Sequence, residues 1–272
     1  MAASIIEVFA NCYGQFGLEA AIDHAPTVGI NHLEVGLQAH TGHLVVPANA
    51  TLTLASSQTE VEWVRQRLGS TGVSITTCYG GADVSTSEGR AAFKARLDLA
   101  AAIGARWFDC DMGHPEDKRL LYDGMLEVAD YAQAKGLLIC LETHPPLVTN
   151  AEVGLGTLRD LGHPNIHINW DSGNIYYYNE GIDGEAELRK IAPYVKHVHL
   201  KDCRKGHHEW FFPALGEGMV DLGEVRRILE DAGFDGPYSI EIEGVAGEKP
   251  LTLAERQDNV RRSIEHLRSV GY

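Results

Sequence analysis

Leu137-Leu138-Ile139-Cys140-Leu141-Glu142 is a short, almost wholly apolar stretch that follows Gly136 and precedes Pro145-Pro146. A run of this length between such punctuators reads as a strand, and its ending on a carboxylate decides what else to look for. Runs of similar length recur near 5–10, 31–36, 73–78, 105–111, 165–170, 195–200 and 237–242. Amphipathic segments of helical period lie between them, near 17–28, 58–70, 87–103, 117–135, 151–161, 184–192, 221–232 and 251–269. Each strand is followed by one helix, the pattern of βαβ units and a parallel sheet. Eight such units in 272 residues average 34 residues each, which matches a (β/α)8 barrel. Gly72, Gly104, Gly136 and Gly233 fall just past helical stretches, where a left-handed C′ position favours glycine. The competing architecture is an open doubly wound sheet. It would want a Gly-rich phosphate loop after the first strand, and Asn11-Cys12-Tyr13-Gly14-Gln15-Phe16-Gly17 is a poor match to that fingerprint. The expectation is an α/β chain forming a single (β/α)8 barrel domain over residues 1–272.

Composition excludes several classes. Hydrophobic residues make up 44% and charged residues 22%, as in ordinary globular chains. The formal net charge of −15 repels polyanions and disfavours nucleic acid or an anionic membrane surface as partner. No Lys or Arg precedes Arg65, no apolar run reaches the length of a membrane span, and the N-terminal segment lacks a signal-peptide pattern. Cys12, Cys78, Cys110, Cys140 and Cys203 form no Cys-x-x-Cys pair and read as free thiols of a reducing compartment. A cytoplasmic location follows as the expectation, and the Asn49-Ala50-Thr51 sequon then carries no meaning.

Alternate residues of a barrel strand share a face, so one row meets the helices and the other meets the axis. In 137–142 the inward row is Leu138, Cys140 and Glu142. In the next strand it is His167, Asn169 and Asp171, in the seventh His197 and His199, and in the eighth Ser239, Glu241 and Glu243. Four consecutive strands thus end inward in Glu, Asp, His and Glu, at the face where such barrels hold active sites. Bare charges there need a partner. One divalent cation satisfies all four, and an oxygen-rich set with one imidazole suits Mn2+ first, or Mg2+, with Co2+, Fe2+ or Zn2+ also compatible. Glu34 at the end of the second strand, and Asp109 with Asp111 on the fourth, are candidates to bind the hydroxyls of a ligand. Salt-bridged barrel residues would explain them equally. Lys201, Arg204, Lys205, His207 and His208 form the one locally basic loop, with Lys205 a candidate substrate contact. Tyr176, Tyr177, Tyr178, Trp210, Phe211 and Phe212 would either wall a pocket or mediate contact in a homo-oligomer.

Leu141-Glu142-Thr143-His144, Asn169-Trp170-Asp171, Val195-Lys196-His197-Val198-His199-Leu200-Lys201-Asp202, Leu215-Gly216-Glu217-Gly218 and Ser239-Ile240-Glu241 together resemble the sugar phosphate isomerase/epimerase superfamily. These are the xylose isomerase-like barrels, which include ketose 3-epimerases, hydroxypyruvate isomerase and inosose dehydratase. The resemblance spans nearly the whole chain. It implies metal ligands at Glu142, Asp171, His199 and Glu241, with Glu243 the alternative to Glu241. It also implies an isomerase or epimerase of a ketose or keto-polyol, in which Glu142 and Glu241 act as base and acid around an enediolate. The sequence departs from the epimerases, and from the related endonuclease IV type of repair barrel, at Asn174, where those proteins carry His three residues after the ligand aspartate. Asn174 can hydrogen-bond a substrate hydroxyl but supplies no proton at neutral pH. His144, two residues past Glu142, is the candidate auxiliary acid, unless it turns outward against Pro145 and Pro146. A metal-dependent dehydratase of an inosose or dehydroshikimate type needs such a group, and this lyase reading is the alternative. A sugar-binding barrel without turnover is the third.

Overall fold

The computed structural model describes residues 5–37, 52–114 and 116–272; the Asn49 sequon lies outside them. Eight strands, β1 (Ile5–Phe9), β2 (His32–Gly36), β3 (Ser74–Tyr79), β4 (Trp107–Cys110), β5 (Leu138–Glu142), β6 (Ile166–Asp171), β7 (Val195–Leu200) and β8 (Pro237–Ile240), form one closed barrel. Every neighbouring pair is parallel, and β8 closes on β1 with Ile6 opposite Tyr238 and Val8 opposite Ile240. Eight helices alternate with them: α1 (Gly17–His24), α2 (Gln58–Thr71), α3 (Ser87–Ile103), α4 (Lys118–Ala134), α5 (Ala151–Leu161), α6 (Gly184–Ile191), α7 (Leu222–Asp231) and α8 (Leu253–Ser269). The open doubly wound alternative is thereby excluded. The segment after β1 is a run of 3-10 turns, Ala10–Phe16, and cradles no loop of the dinucleotide type.

Local chemistry sets the helix limits where the sequence says it should. Ser57 and Thr252 open α2 and α8 with capping boxes, each side chain accepting from the backbone three residues on while Glu60 or Glu255 reaches back. Gly72 and Gly104 end α2 and α3 at φ +71° and +96°, a region that disfavours other residues. The apolar core lies between barrel and helices, where Val8, Leu33, Ile139, Ile168 and Val198 meet residues such as Ile22, Phe93, Leu97, Met125 and Leu188. The barrel interior is polar instead: Glu7, Glu34, Thr77, Asp109, Asn169, His197 and Ser239 are all fully buried there. This interior layer supports the site above it.

Two features had no counterpart in the sequence reading. Phe211–Phe212 pairs antiparallel with Gly244–Val245 across the mouth of the barrel. A single helical turn, Asn174–Tyr177, follows β6 directly. Among the described residues no helix is long and apolar enough to cross a membrane. All five cysteines are free and buried, and burial pushes the Cys12 and Cys203 thiols up to about 12. The native protein should therefore leave a thiol-specific reagent unconsumed at pH 8 and release all five thiols on denaturation. A rapidly reacting native thiol would show that the barrel wall opens.

Candidate active site and metal centre

The polar rows reach the C-terminal mouth as strand alternation requires. Glu142 ends β5, Asp171 ends β6, His199 lies one residue before the end of β7, and Glu241 follows β8. Ligand atoms of these four residues all lie within 4.8 Å of one another. His199 Nδ1 stands 3.3 Å from Glu241 Oε2, 3.5 Å from Glu142 Oε1 and 3.9 Å from Asp171 Oδ2. Its other nitrogen, Nε2, donates to Glu34 Oε2 at 3.0 Å, so in the neutral ring Nδ1 is the acceptor; it takes the Asn169 Nδ2–H at 3.1 Å, and its lone pair is the one a cation would claim. Glu34 in turn accepts from Ser239 Oγ at 2.6 Å. Below, His197 bridges Glu7 at 2.8 Å and Asn169 at 2.9 Å, so His199 rests on a continuous hydrogen-bonded layer.

Asp171 is anchored through one oxygen, and its other oxygen and that of Glu241 face a common cation. Asp171 Oδ1 accepts from the backbone N–H groups of Gly173 and Asn174, both at 2.8 Å, while Oδ2 is buried 3.0 Å from the Lys201 ammonium. Glu241 Oε2 is likewise buried, 2.7 Å from the same ammonium. Buried carboxylates are costly unless positive charge meets them, and here one ammonium is shared among several. Three carboxylate oxygens and one imidazole nitrogen form a donor set that fits a divalent cation of the Mn2+ or Mg2+ class.

The electrostatics agree. Burial alone would lower the His199 pKa, but Glu34 and Glu241, with hydrogen bonds to Glu142 and Glu34, hold it well above the ordinary value. The field that holds a second proton on His199 would equally hold a metal ion. Burial pushes Glu241 up, against the opposing pull of Lys201 and His199. Glu142 is also buried, yet its hydrogen bond to His199 and the His199 and Lys201 charges bring it down to about 2. Two carboxyl groups of one site are thus pushed in opposite directions.

Above the cluster opens a cavity of about 550 Å³, lined by Glu142, His144, Asn174, Lys201, Glu241 and Glu243 at its polar side and by Phe9, Tyr79, Tyr177, Tyr178, Trp210 and Phe212 around them. His144 is in the wall, not turned away: its Nδ1–H donates to the Pro145 carbonyl at 2.7 Å and its ring meets Tyr178 edge-on. Asn174 also lines the cavity, but its amide is engaged, donating to Glu142 Oε1 at 3.3 Å and accepting from Lys201 Nζ at 3.2 Å. Three other expected contacts do not line it. Glu34 is fully buried beneath His199. Asp111 follows the end of β4, where its Oδ1 accepts from Gly113 N–H at 2.9 Å, and it lines a small side recess with Glu142 and His144. Lys205 turns to Glu185 at 3.0 Å, over the ring of Tyr176. Phe211 likewise packs under Arg204 rather than in the cavity.

Lys201 is the residue that the sequence reading misplaced in the basic loop. Its Nζ lies 2.7 Å from Glu241 Oε2 and 3.0 Å from both Asp171 Oδ2 and Glu243 Oε2. Continuing the alternation His197, His199, Lys201 one step past β7 would have found it. Phe9, stacked at 5.7 Å on His199, follows likewise from Glu7 along β1.

Asp202 holds the wall in place. Its Oδ1 accepts from Cys203 and Val220 N–H, and its Oδ2 from Gly216 and Gly218 N–H at 2.9 and 2.8 Å. Gly218 is required there, since a Cβ would lie 2.2 Å from Asp202 Oδ1. Asp202→Asn turns one acceptor into a donor facing two N–H groups, and should destabilise the protein by about 3 kcal/mol. Denaturant titration checks this; an unchanged midpoint would show that the loop stands without it.

The comparisons with known proteins come to the same architecture. The chain is 28% identical over 145 residues to the inosose dehydratase of Serratia proteamaculans, covering 47% of this chain and 48% of that protein. It is 28% identical over 148 residues to the L-ribulose-5-phosphate 3-epimerase of Escherichia coli, covering 54% and 51%. It therefore spans about half the length of the curated relatives it matches. The crystal structure of a xylose isomerase domain protein from Planctomyces limnophilus superposes with a TM-score of 0.76 over 98% of this chain and 97% of that one, at 21% identity. The sequence profile of one family matches residues 21–270, nearly all of the barrel just described, and the chain belongs to that family, the xylose isomerase-like TIM barrels.

Proposed function

We propose that this chain is one catalytic barrel domain that uses a divalent cation, Mn2+ first and Mg2+ next, to isomerise or epimerise a ketose or keto-polyol by proton transfer at the carbon beside the carbonyl. One observation carries the reading: Glu142, Asp171, His199 and Glu241 converge, with ligand atoms within 4.8 Å, at the floor of a cavity large enough for a sugar. These four would hold the ion. When bound, it supplies Lewis-acid polarisation of the carbonyl and tolerance of negative charge on oxygen. The rest is done by side chains. Glu142 and Glu241 come from strands three apart around the barrel and both reach the cavity, so one can take the proton from carbon and the other can return it. Tyr177, Trp210, Phe212 and Phe9 exclude water and offer flat apolar faces to the C–H face of a polyol.

A second reading, a dehydratase, is favoured by His144, which lines the cavity beside Glu142. Eliminating a hydroxyl needs a base at carbon and a proton donor at the leaving oxygen, and this imidazole is placed to be the donor. The inosose dehydratase relative supports the same reading. One experiment separates the two. The Mn-loaded protein is incubated in D2O with a panel of ketoses and keto-inositols, and products are read by NMR and ultraviolet absorbance. Deuterium in a sugar otherwise unchanged, or changed at one stereocentre, supports the first reading, and a new enone absorbance supports the second. Neither, with metal bound, would leave a sugar-binding barrel without turnover.

A further inference from the structure

Four carboxylates surround the floor of the cavity, Glu142, Asp171, Glu241 and Glu243, and only three belong to the convergent metal-ligand group. With one divalent ion in place they would leave two negative charges, in a pocket where the proposed chemistry must create another. Lys201 is the one Lys or Arg side chain lining this cavity among the described residues.

Its seat is built. The backbone N–H of Lys201 donates to Ser172 Oγ at 2.9 Å and its carbonyl accepts from the same hydroxyl at 2.8 Å. Gly173 leaves room for the aliphatic stem, since a Cβ there would lie 2.8 Å from Lys201 Cγ. The ammonium sits 5.0 Å from the centre of the Phe212 ring and donates to Asn174 Oδ1. It touches Asp171 Oδ2 and Glu241 Oε2, two of the three carboxylate oxygens that face His199 Nδ1, together with Glu243 Oε2. A structural ion pair needs one carboxylate. Here Glu243, outside the ligand group, would keep the ammonium in place while the other two bind metal. A substrate oxygen that joins Asp171 and Glu241 around one ion is a neighbour of both, and so is Nζ.

We propose that Lys201 is a further catalytic residue of this centre, whose ammonium contacts the substrate oxygen beside Glu241 and Asp171 and offsets the negative charge that develops there. Glu243 is its positioning partner. The inference rests on the metal-dependent reading above, and its test does not need the substrate to be known.

The probe is glycolohydroxamate, a small anion that chelates divalent metals and has the shape and charge of an enediolate. Its binding to the Mn-loaded protein is measured by calorimetry for the wild type, for Lys201→Met, and for Lys201→Cys before and after aminoethylation, which restores an ammonium at nearly the original reach. Mn content and thermal unfolding are measured on the same samples. Lys201→Met should keep one Mn per chain and a cooperative transition yet bind the probe at least about tenfold more weakly, the loss expected for a charge-assisted hydrogen bond. Aminoethylation of Lys201→Cys should recover most of that loss. Equal probe affinity in Lys201→Met overturns the proposal. So does loss of Mn or of cooperative unfolding in both variants, which would make Lys201 a structural counter-ion. A wild type that takes up no Mn fails differently: it removes the metal-dependent reading, and the proposal with it.

Discussion

Replacement of His199 by alanine should abolish metal binding, with affinity for Mn2+ falling more than about a hundredfold. The reason is more than the loss of one donor. His199 is fully buried, and it is the only non-carboxylate in the ligand group, so it spaces three acids that otherwise repel. Its Nε2 also answers Glu34 from below, so alanine leaves that buried carboxylate with Ser239 as its remaining hydrogen-bond donor. Glu34→Gln provides a graded comparison. It keeps the ring in place but weakens the carboxylate–histidine couple, and a tenfold to roughly hundredfold loss of metal affinity is expected. Elemental analysis and calorimetric titration check both variants. A His199→Ala protein that still carries one tightly bound metal ion per chain would sink the ligand assignment.

Glu142→Gln and Glu241→Gln should each lower solvent-proton exchange by at least about a thousandfold, within the range that acid–base catalysis contributes. Glutamine keeps the length and one oxygen of the side chain, so packing is retained while the proton carrier is lost. Both residues also belong to the proposed ligand group, and the comparison belongs at metal concentrations that saturate each variant. The two need not fail alike. Glu142 is held low by His199 and Lys201 despite its burial, and burial drives Glu241 high. A variant that loses net turnover but still exchanges one substrate hydrogen would show which face its partner serves. Near-normal turnover in either, with metal bound, would remove that residue from the mechanism.

Much of this site was legible because strand alternation is a local rule. Once 137–142 is a strand with Glu142 inward, the same arithmetic places Asp171, His199 and Glu241 without any knowledge of contacts. The rule reaches one residue past β7, since Lys201 continues the row of His197 and His199 although it also opens the basic loop. It is overextended at Asp111, which has the parity of Asp109 but lies beyond the end of β4, where Gly113 turns the chain and captures its carboxylate. Lys205 shows a different limit. A basic loop above a barrel suggests a substrate contact, yet Glu185 from α6 takes its ammonium, and nothing near Lys205 in the sequence announces that partner.

By itself the sequence determined the order of strands and helices, the closure implied by eight equal units, and the four residues whose side chains share the inward row at the strand ends. These follow from periodicity and from caps such as Ser57–Glu60 and Thr252–Glu255, interactions that span three or four residues. The tertiary structure alone decided how charge is shared inside the barrel: Glu34 under His199, Lys201 among three carboxylates, Asp202 gathering the loop of Gly216 and Gly218, and Phe211–Phe212 paired with Gly244–Val245 across the mouth. Those contacts join residues far apart in the chain. Closure of the barrel puts their strands side by side, and burial then leaves each polar group dependent on whichever partner the opposite strand presents.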